Sequence, residues 1–193
     1  MDKLAIYLIL KAEREYGRVN MLLKISGSIL IIIASTYLGY YYGKRLIKRI
    51  NELTELERLG TVLENEIVYS HTPFPQAIYS ISFRRGNEIE NLFYKIYERL
   101  SKNETDSIYQ AFTMGINESL RQLSIEDGDT KLLLDFAKSL GDYDIDGYKK
   151  VFALYKIGMK NKIIEAENKK SKNLKMYRYL GFSIGAMAVI MII

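Results

Sequence analysis

The chain's only histidine, His71, stands in the heptapeptide HTPFPQA (residues 71–77), beside both of its prolines. A histidine in a loop is a candidate general base or metal ligand, but either role needs partners at fixed spacing. The chain has no cysteine and no second histidine. A His-based metal site or a nucleophilic triad therefore lacks its ligands or its geometry, and His71 reads as a turn residue. A second candidate is DYDIDG, residues 142–147, which opens like a calcium-binding EF-hand loop. The twelfth loop position, where a bidentate glutamate belongs, is Ala153, and Lys149 and Lys150 bring positive charge into the loop. The plainer reading is a helix stop at Gly141 followed by Asp144 or Asp146 capping the next helix at its positive end. Glu64 and Glu66 fall on different sides of a helix and read as solvated. No phosphate loop, zinc-protease helix or dinucleotide fingerprint is present. The expectation is a protein with no catalytic site, no metal and no cofactor.

What, then, do the residues around these candidates build? Of 193 residues 48% are apolar, enough for a core, and the absence of cysteine excludes disulfides and thiolate metal sites. The pI near 9.1 could suggest nucleic acid, but the distribution of charge argues against it. Lys44, Arg45, Lys48 and Arg49 form one basic cluster; Lys169, Lys170, Lys172, Lys175 and Arg178 form another. Residues 50–168 between them carry 14 basic and 20 acidic side chains, a net of −6. The basic edges abut apolar runs, so lipid headgroups fit them better than nucleic acid.

The first apolar run, ISGSILIIIASTYLGYYYG at residues 25–43, has 19 residues and no charge. As a helix it would reach about 28 Å, close to the hydrocarbon thickness of a bilayer. It ends in tyrosines and strong positive charge rather than in a cleavage site for a signal peptide. The second run, YLGFSIGAMAVIMII, occupies residues 179–193. Two transmembrane helices are thus expected, at 21–43 and 179–193. Residues 1–20 form an N-terminal extension left unassigned, with either Met1 or Met21 as the start. The positive-inside rule puts the segment between the spans in the cytosol. Gly39 with Gly43, and Gly181 with Gly185, are small-xxx-small pairs that would let the two spans pack closely. Lys44, Arg45, Lys48, Arg49, Lys172, Lys175 and Arg178 are the expected juxtamembrane cations.

From Lys44 the helical pattern continues without a breaker. Leu46, Ile50, Leu53, Leu56, Leu63 and Ile67 recur at steps of three or four, with Gly60 in an empty slot. That helix is expected to end near Ser70. Pro73 disfavours helix at Thr72, and Pro75 suits the first turn of a new helix. Amphipathic stretches come next, with Ile89, Leu92, Phe93, Ile96 and Leu100 on one stripe and Ile108, Phe112, Ile116 and Leu120 on another. DTKLLLDFAKSLG and a last helix from about Asp146 complete the set. The fold class is all-α: a cytosolic helical bundle of about six helices, residues 44–178, between two transmembrane helices.

Four ordered stretches carry a family resemblance: GSILIIIASTYLGYYYGKRL, LENEIVYSHTPFPQA, LGDYD and YRYLG. Together they resemble the stage III sporulation protein AB family of endospore-forming bacteria, over roughly residues 21–193. Tyr143, Tyr148 and Phe112 depart from the residues expected there. The resemblance implies a non-enzymatic membrane protein similar to the inner-membrane platforms of type II secretion and type IV pilus machines. It implies a place in the mother-cell membrane around the forespore, in the channel complex that joins the two cells. The implied partners are a cytosolic ATPase like stage III sporulation protein AA, other membrane subunits of the channel, and membrane lipids; homo-oligomer formation is left open. Because partner contacts concentrate at exposed corners, Glu64, Glu66, Tyr69, His71 and Phe74 are nominated as the contact patch. The alternative function is a membrane-anchored signalling or regulatory adaptor.

Overall fold

The computed structural model describes the backbone of residues 2–102, 104–140 and 145–192, and the side chains of 26–102, 104–140, 146–177 and 179–191. The expected helix stop at Gly141, most of the DYDIDG motif and the Arg178 side chain lie outside the described residues. The described residues form six α-helices in succession: α1 Asp2–Glu64, α2 Phe74–Ser82, α3 Glu88–Ser101, α4 Ile108–Ser119, α5 Asp127–Lys138 and α6 Ile145–Ile192. A π-helical turn, Asn65–Tyr69, extends α1. Among the described residues there is no strand, so the all-α expectation holds. The chain divides into two compact units: residues 45–171, and residues 1–44 with 172–193.

The larger unit is a bundle in which α2 packs on α3, α3 on α4 and α4 on α5. Its core draws Leu53, Leu56, Leu59 and Leu63 from α1, Ala77, Ile78 and Ile81 from α2, and Phe152, Tyr155 and Met159 from α6. Edge-to-face and tilted rings run through it, a geometry that suits the ring quadrupoles. Phe93 meets Phe112 at 6.0 Å between centroids, Phe112 meets Phe136 at 6.5 Å, and Phe136 meets Phe152 at 5.3 Å and Tyr155 at 4.3 Å. Caps set the helix starts. The side chain of Asn87 accepts the Glu90 N–H at 2.8 Å, and Ser107 Oγ accepts that of Gln110 at 3.2 Å. Leu120 does not join its stripe. Helix α4 ends at Ser119, so Leu120 is left 44% exposed and Leu123 is buried instead.

The empty slot at Gly60 now has an occupant. The ring of Tyr155 from α6 lies over it, and a methyl group at position 60 would stand 2.3 Å from Tyr155 Cε1. The buried Tyr155 hydroxyl donates to the Leu56 carbonyl at 2.9 Å. Burial raises the pKa of that hydroxyl above its ordinary value, with the nearby charge of Glu57 adding to it.

In the smaller unit the two ends of the chain meet at small residues. A methyl group on Gly39 would lie 2.5 Å from the Tyr177 carbonyl oxygen and 3.1 Å from Gly181 Cα; one on Gly185 would lie 3.1 Å from Ser35 Cβ. Ser35 Oγ donates to the Gly181 carbonyl, and Tyr42 stacks on Tyr177 at 6.0 Å. Among the described residues no helix is long and apolar enough to cross a membrane. The spans expected at 21–43 and 179–193 therefore do not emerge by that measure. Residues 21–25 of the first expected span and 192–193 of the second lie outside the residues whose side chains are described.

The approach of Ser35 to Gly185 is testable because the chain has no cysteine of its own. The 3.1 Å spacing is shorter than the roughly 3.5–4.5 Å Cβ–Cβ distance of a disulfide, so a small outward shift of the two backbones would bring the pair into bonding range. Ser35→Cys with Gly185→Cys is expected to form an intramolecular disulfide on mild oxidation, seen as a mobility shift on a non-reducing gel. Ser35→Cys paired with Met187→Cys, at a position 74% exposed, should not. Adding Gly181→Leu to the first pair should prevent the bond.

Candidate partner-binding corner

The corner after α1 is built by a change of helical pitch. In the π turn the Ser70 N–H reaches back to the Asn65 carbonyl at 3.0 Å, one residue further than in an α-helix, and the Thr72 N–H reaches Glu66 O at 2.9 Å. Such wide turns inside helices are frequent at functional sites. His71 then takes a left-handed conformation, φ 53°, which favours glycine. Pro73 caps α2, and Pro75 sits in its first turn, where no backbone N–H is needed. The histidine–proline heptapeptide is a corner.

The five nominated patch residues are not equivalent. Tyr69 is 68% exposed, and His71 is exposed beside it in the chain. Glu66 is half-buried and braces the corner by accepting the Thr72 hydroxyl at 2.9 Å. Phe74 is half-buried against the core. Glu64 is buried, and Lys156 of α6 donates to its carboxylate at 2.6 Å. It is a strut between α1 and α6 rather than a free surface charge. Tyr69 and His71 are thus the two of the five that are exposed.

The second cluster was not legible as a cluster in the sequence. Arg49, read there as a juxtamembrane cation, is 2% exposed inside the bundle. That corrects its placement: its guanidinium faces protein carboxylates, not lipid. Nε donates to Asp129 Oδ2 at 2.8 Å and Nη2 to Oδ1 at 2.9 Å, a bidentate pair. Nη1 lies 3.0 Å from Glu126 Oε2, and Nη2 lies 3.8 Å from Glu165 Oε1. Burial works against the arginine's charge, but the Asp129 bonds and the surrounding carboxylates outweigh it and hold its pKa above the ordinary value. Asp129, fully buried, also accepts the Glu126 N–H at 2.8 Å and so fixes the start of α5. Lys169 of α6 donates to Glu126 at 2.6 Å. One arginine on α1 therefore ties α5 and α6 together.

Lys48, also read as juxtamembrane, donates to Glu88 at 3.0 Å and to the Gln122 carbonyl at 2.8 Å. Beside it Glu52 is 4% exposed and accepts the Ser124 N–H at 2.6 Å. Burial raises the Glu52 pKa above its ordinary 4.5; the Ser124 N–H and Lys48 offset this only in part. The native state then holds this proton more tightly than the unfolded chain does. The resulting cost is absent below the ordinary carboxylate pKa and grows as pH rises through the native one. Glu52→Gln is expected to raise the urea midpoint at neutral pH, with the gain vanishing near about pH 4. An equal gain at both would place the effect elsewhere.

Among the described residues no group of three or more histidine, aspartate or glutamate side chains is placed to hold a metal ion. What the arrangement offers is a braced helical corner carrying an exposed tyrosine and histidine, on a bundle locked by buried ion pairs.

Comparison with known proteins places this architecture. The chain is 27% identical over 171 residues to stage III sporulation protein AB of Bacillus subtilis strain 168, which covers 89% of this chain and 99% of the relative. A solved structure of stage III sporulation protein AB shares the fold at a TM-score of 0.60 and 24% identity, covering 65% of this chain and 98% of that one. The family model described as stage III sporulation protein AB matches residues 24–193, which take in the corner, the ion-pair network and both glycine pairs. The chain belongs to the stage III sporulation protein AB family.

Proposed function

We propose that this sporulation protein is a non-enzymatic, membrane-anchored platform of the channel complex between mother cell and forespore, and that its bundle docks a cytosolic ATPase. The observation that carries the anchor is the surface of the smaller unit. Leu30, Ile33, Leu38, Ile184, Met187 and Met191 are 58–90% exposed there, an apolar surface that water does not favour and a bilayer would cover. Tyr37, Tyr40, Tyr41 and Tyr42, each more than half exposed, suit the headgroup level of such an anchor. Lys44, Arg45, Lys172 and Lys175 supply positive charge for anionic lipid.

The docking half of the reading is supported by the corner. Tyr69 and His71 project from a turn held by the π segment, by Glu66 and by two prolines, so a partner would meet a surface already ordered. Mechanically, the Lys156–Glu64 strut joins that corner to α6, and the Arg49 network joins α1 to α5 and α6. A load applied at Tyr69 would thus be shared by the bundle. Tyr69→Asp is expected to weaken binding of the purified ATPase about tenfold, the usual effect of removing a tyrosine anchor. The same change at Tyr109, exposed on α4, should leave binding intact. Equal loss in both variants, or in neither, rejects the corner as the docking site. A deletion strain that completes sporulation normally would reject the platform reading as a whole.

A further inference from the structure

Helix α6 carries two apolar faces, and the bundle uses only one of them. Phe152, Tyr155, Met159 and Ala166 point into the core. On the other side Leu154 is 70% exposed, Ile157 60% and Ile164 46%. Their spacing is three then seven residues, and the position that completes it is Asn161, also exposed. Leu154, Ile157, Asn161 and Ile164 therefore occupy successive a and d positions of two heptads, the seam by which helices pair.

The polar residue in that seam indicates which occupant covers it. An asparagine facing its own copy across an a–a layer can hydrogen-bond to it. Facing an apolar side chain, it would be desolvated without a partner. A single such asparagine fixes register and favours a two-stranded parallel pairing. The flanking charges agree. In that register Lys160 is at g and Glu165 at the next e, both exposed. Parallel pairing would set Lys160 of one copy against Glu165 of the other, opposite charges at both edges of a two-fold seam. Ala153, exposed at the other g position, leaves room for close approach, while Gly158 at the other e position is where Leu132 of α5 packs against α6.

We infer that this outer face of α6 is a docking surface for a second copy of this chain, paired in parallel through Leu154, Ile157, Asn161 and Ile164. The inference does not depend on the ATPase reading. The pairing leaves the corner at Tyr69 and His71 out of the seam.

Single cysteines in this cysteine-free chain test it directly. In membranes from cells expressing the full-length protein, Asn161→Cys is expected to give a disulfide-linked species of twice the chain's mass on mild oxidation. Its yield should be several-fold above that of Ser80→Cys, an exposed position on α2. Leu154→Cys, also at an a position, should cross-link likewise. Adding Ile157→Glu, a change at a position already 60% exposed, should reduce the Asn161→Cys dimer to the Ser80→Cys level while the helical circular dichroism of the protein is unchanged. Yields at positions 154 and 161 no higher than at 80 would overturn the proposal. So would cross-linking of position 161 to a protein of another mass, which would assign the seam to a different partner, or a dimer indifferent to Ile157→Glu.

Discussion

Asp129→Ala is expected to lower the unfolding free energy by about 3 kcal/mol, the low end of the range for breaking a buried ion pair. The cost arises from the group left behind. Arg49 remains 2% exposed, and the two bonds at 2.8 and 2.9 Å that satisfied Nε and Nη2 are gone. Glu126 at 3.0 Å and Glu165 at 3.8 Å still neutralise part of its charge, which keeps the loss from the upper end. The start of α5 loses the carboxylate that accepts the Glu126 N–H as well. Asp129→Asn keeps one acceptor and should lose less. The informative comparison is Arg49→Met combined with Asp129→Leu. Removing both charges leaves no orphan, so the double variant should regain much of the loss. Urea unfolding monitored by circular dichroism, run as a double-mutant cycle, reads this; additive losses would show that the pair is not coupled.

Gly60→Ala is the second large effect, and its sign opposes intrinsic helix propensity. Alanine in a helix is favoured over glycine by about 1 kcal/mol. Here the added methyl would stand 2.3 Å from Tyr155 Cε1, so the ring must move. Overpacking of this kind costs about 1–3 kcal/mol. Displacing the ring also pulls the buried hydroxyl from the Leu56 carbonyl, which adds about 1–3 kcal/mol. The net expectation is a loss of about 2 kcal/mol in urea unfolding. Combining Gly60→Ala with Tyr155→Leu removes both the clash and the hydroxyl. The double variant should therefore be more stable than the sum of the singles, whereas strict additivity would mean that the two residues do not meet.

These two sites also mark where the sequence was readable and where it was not. The apolar steps at Leu53, Leu56 and Leu63 announced the buried face of α1 because helix period is a local signal. The two prolines announced the corner for the same kind of reason. Gly60 was visible only as a gap in the pattern, since the ring that fills it comes from 95 positions further along the chain. Arg49 was misplaced for a related reason. Its neighbours in sequence are cations beside an apolar run, while its neighbours in space, Asp129, Glu126 and Glu165, belong to the start of α5 and to α6. Of the nominated corner, Tyr69 and His71 are exposed. Glu64 looked equivalent to Glu66 until Lys156 of α6 was seen to hold it. The π turn has no composition of its own; NEIVY would continue an α-helix equally well, and only the carbonyl that Ser70 reaches reveals the difference.

That turn makes the corner sensitive to length rather than to residue type. A π turn holds one residue more than the α-helical turn it replaces. Deleting one residue from 65–68 would let the helix close into regular α geometry, and because the π turn is what absorbs the extra residue, the chain beyond it would keep nearly the same facing. Tyr69 would stay on its side of the bundle, while the wide bond from the Ser70 N–H to the Asn65 carbonyl would be lost. Substitutions in this stretch trade one side chain for another on a fixed surface and a single-codon deletion is absorbed by the turn, but a single-codon insertion, with that slack already used, would re-aim the surface by about 100°.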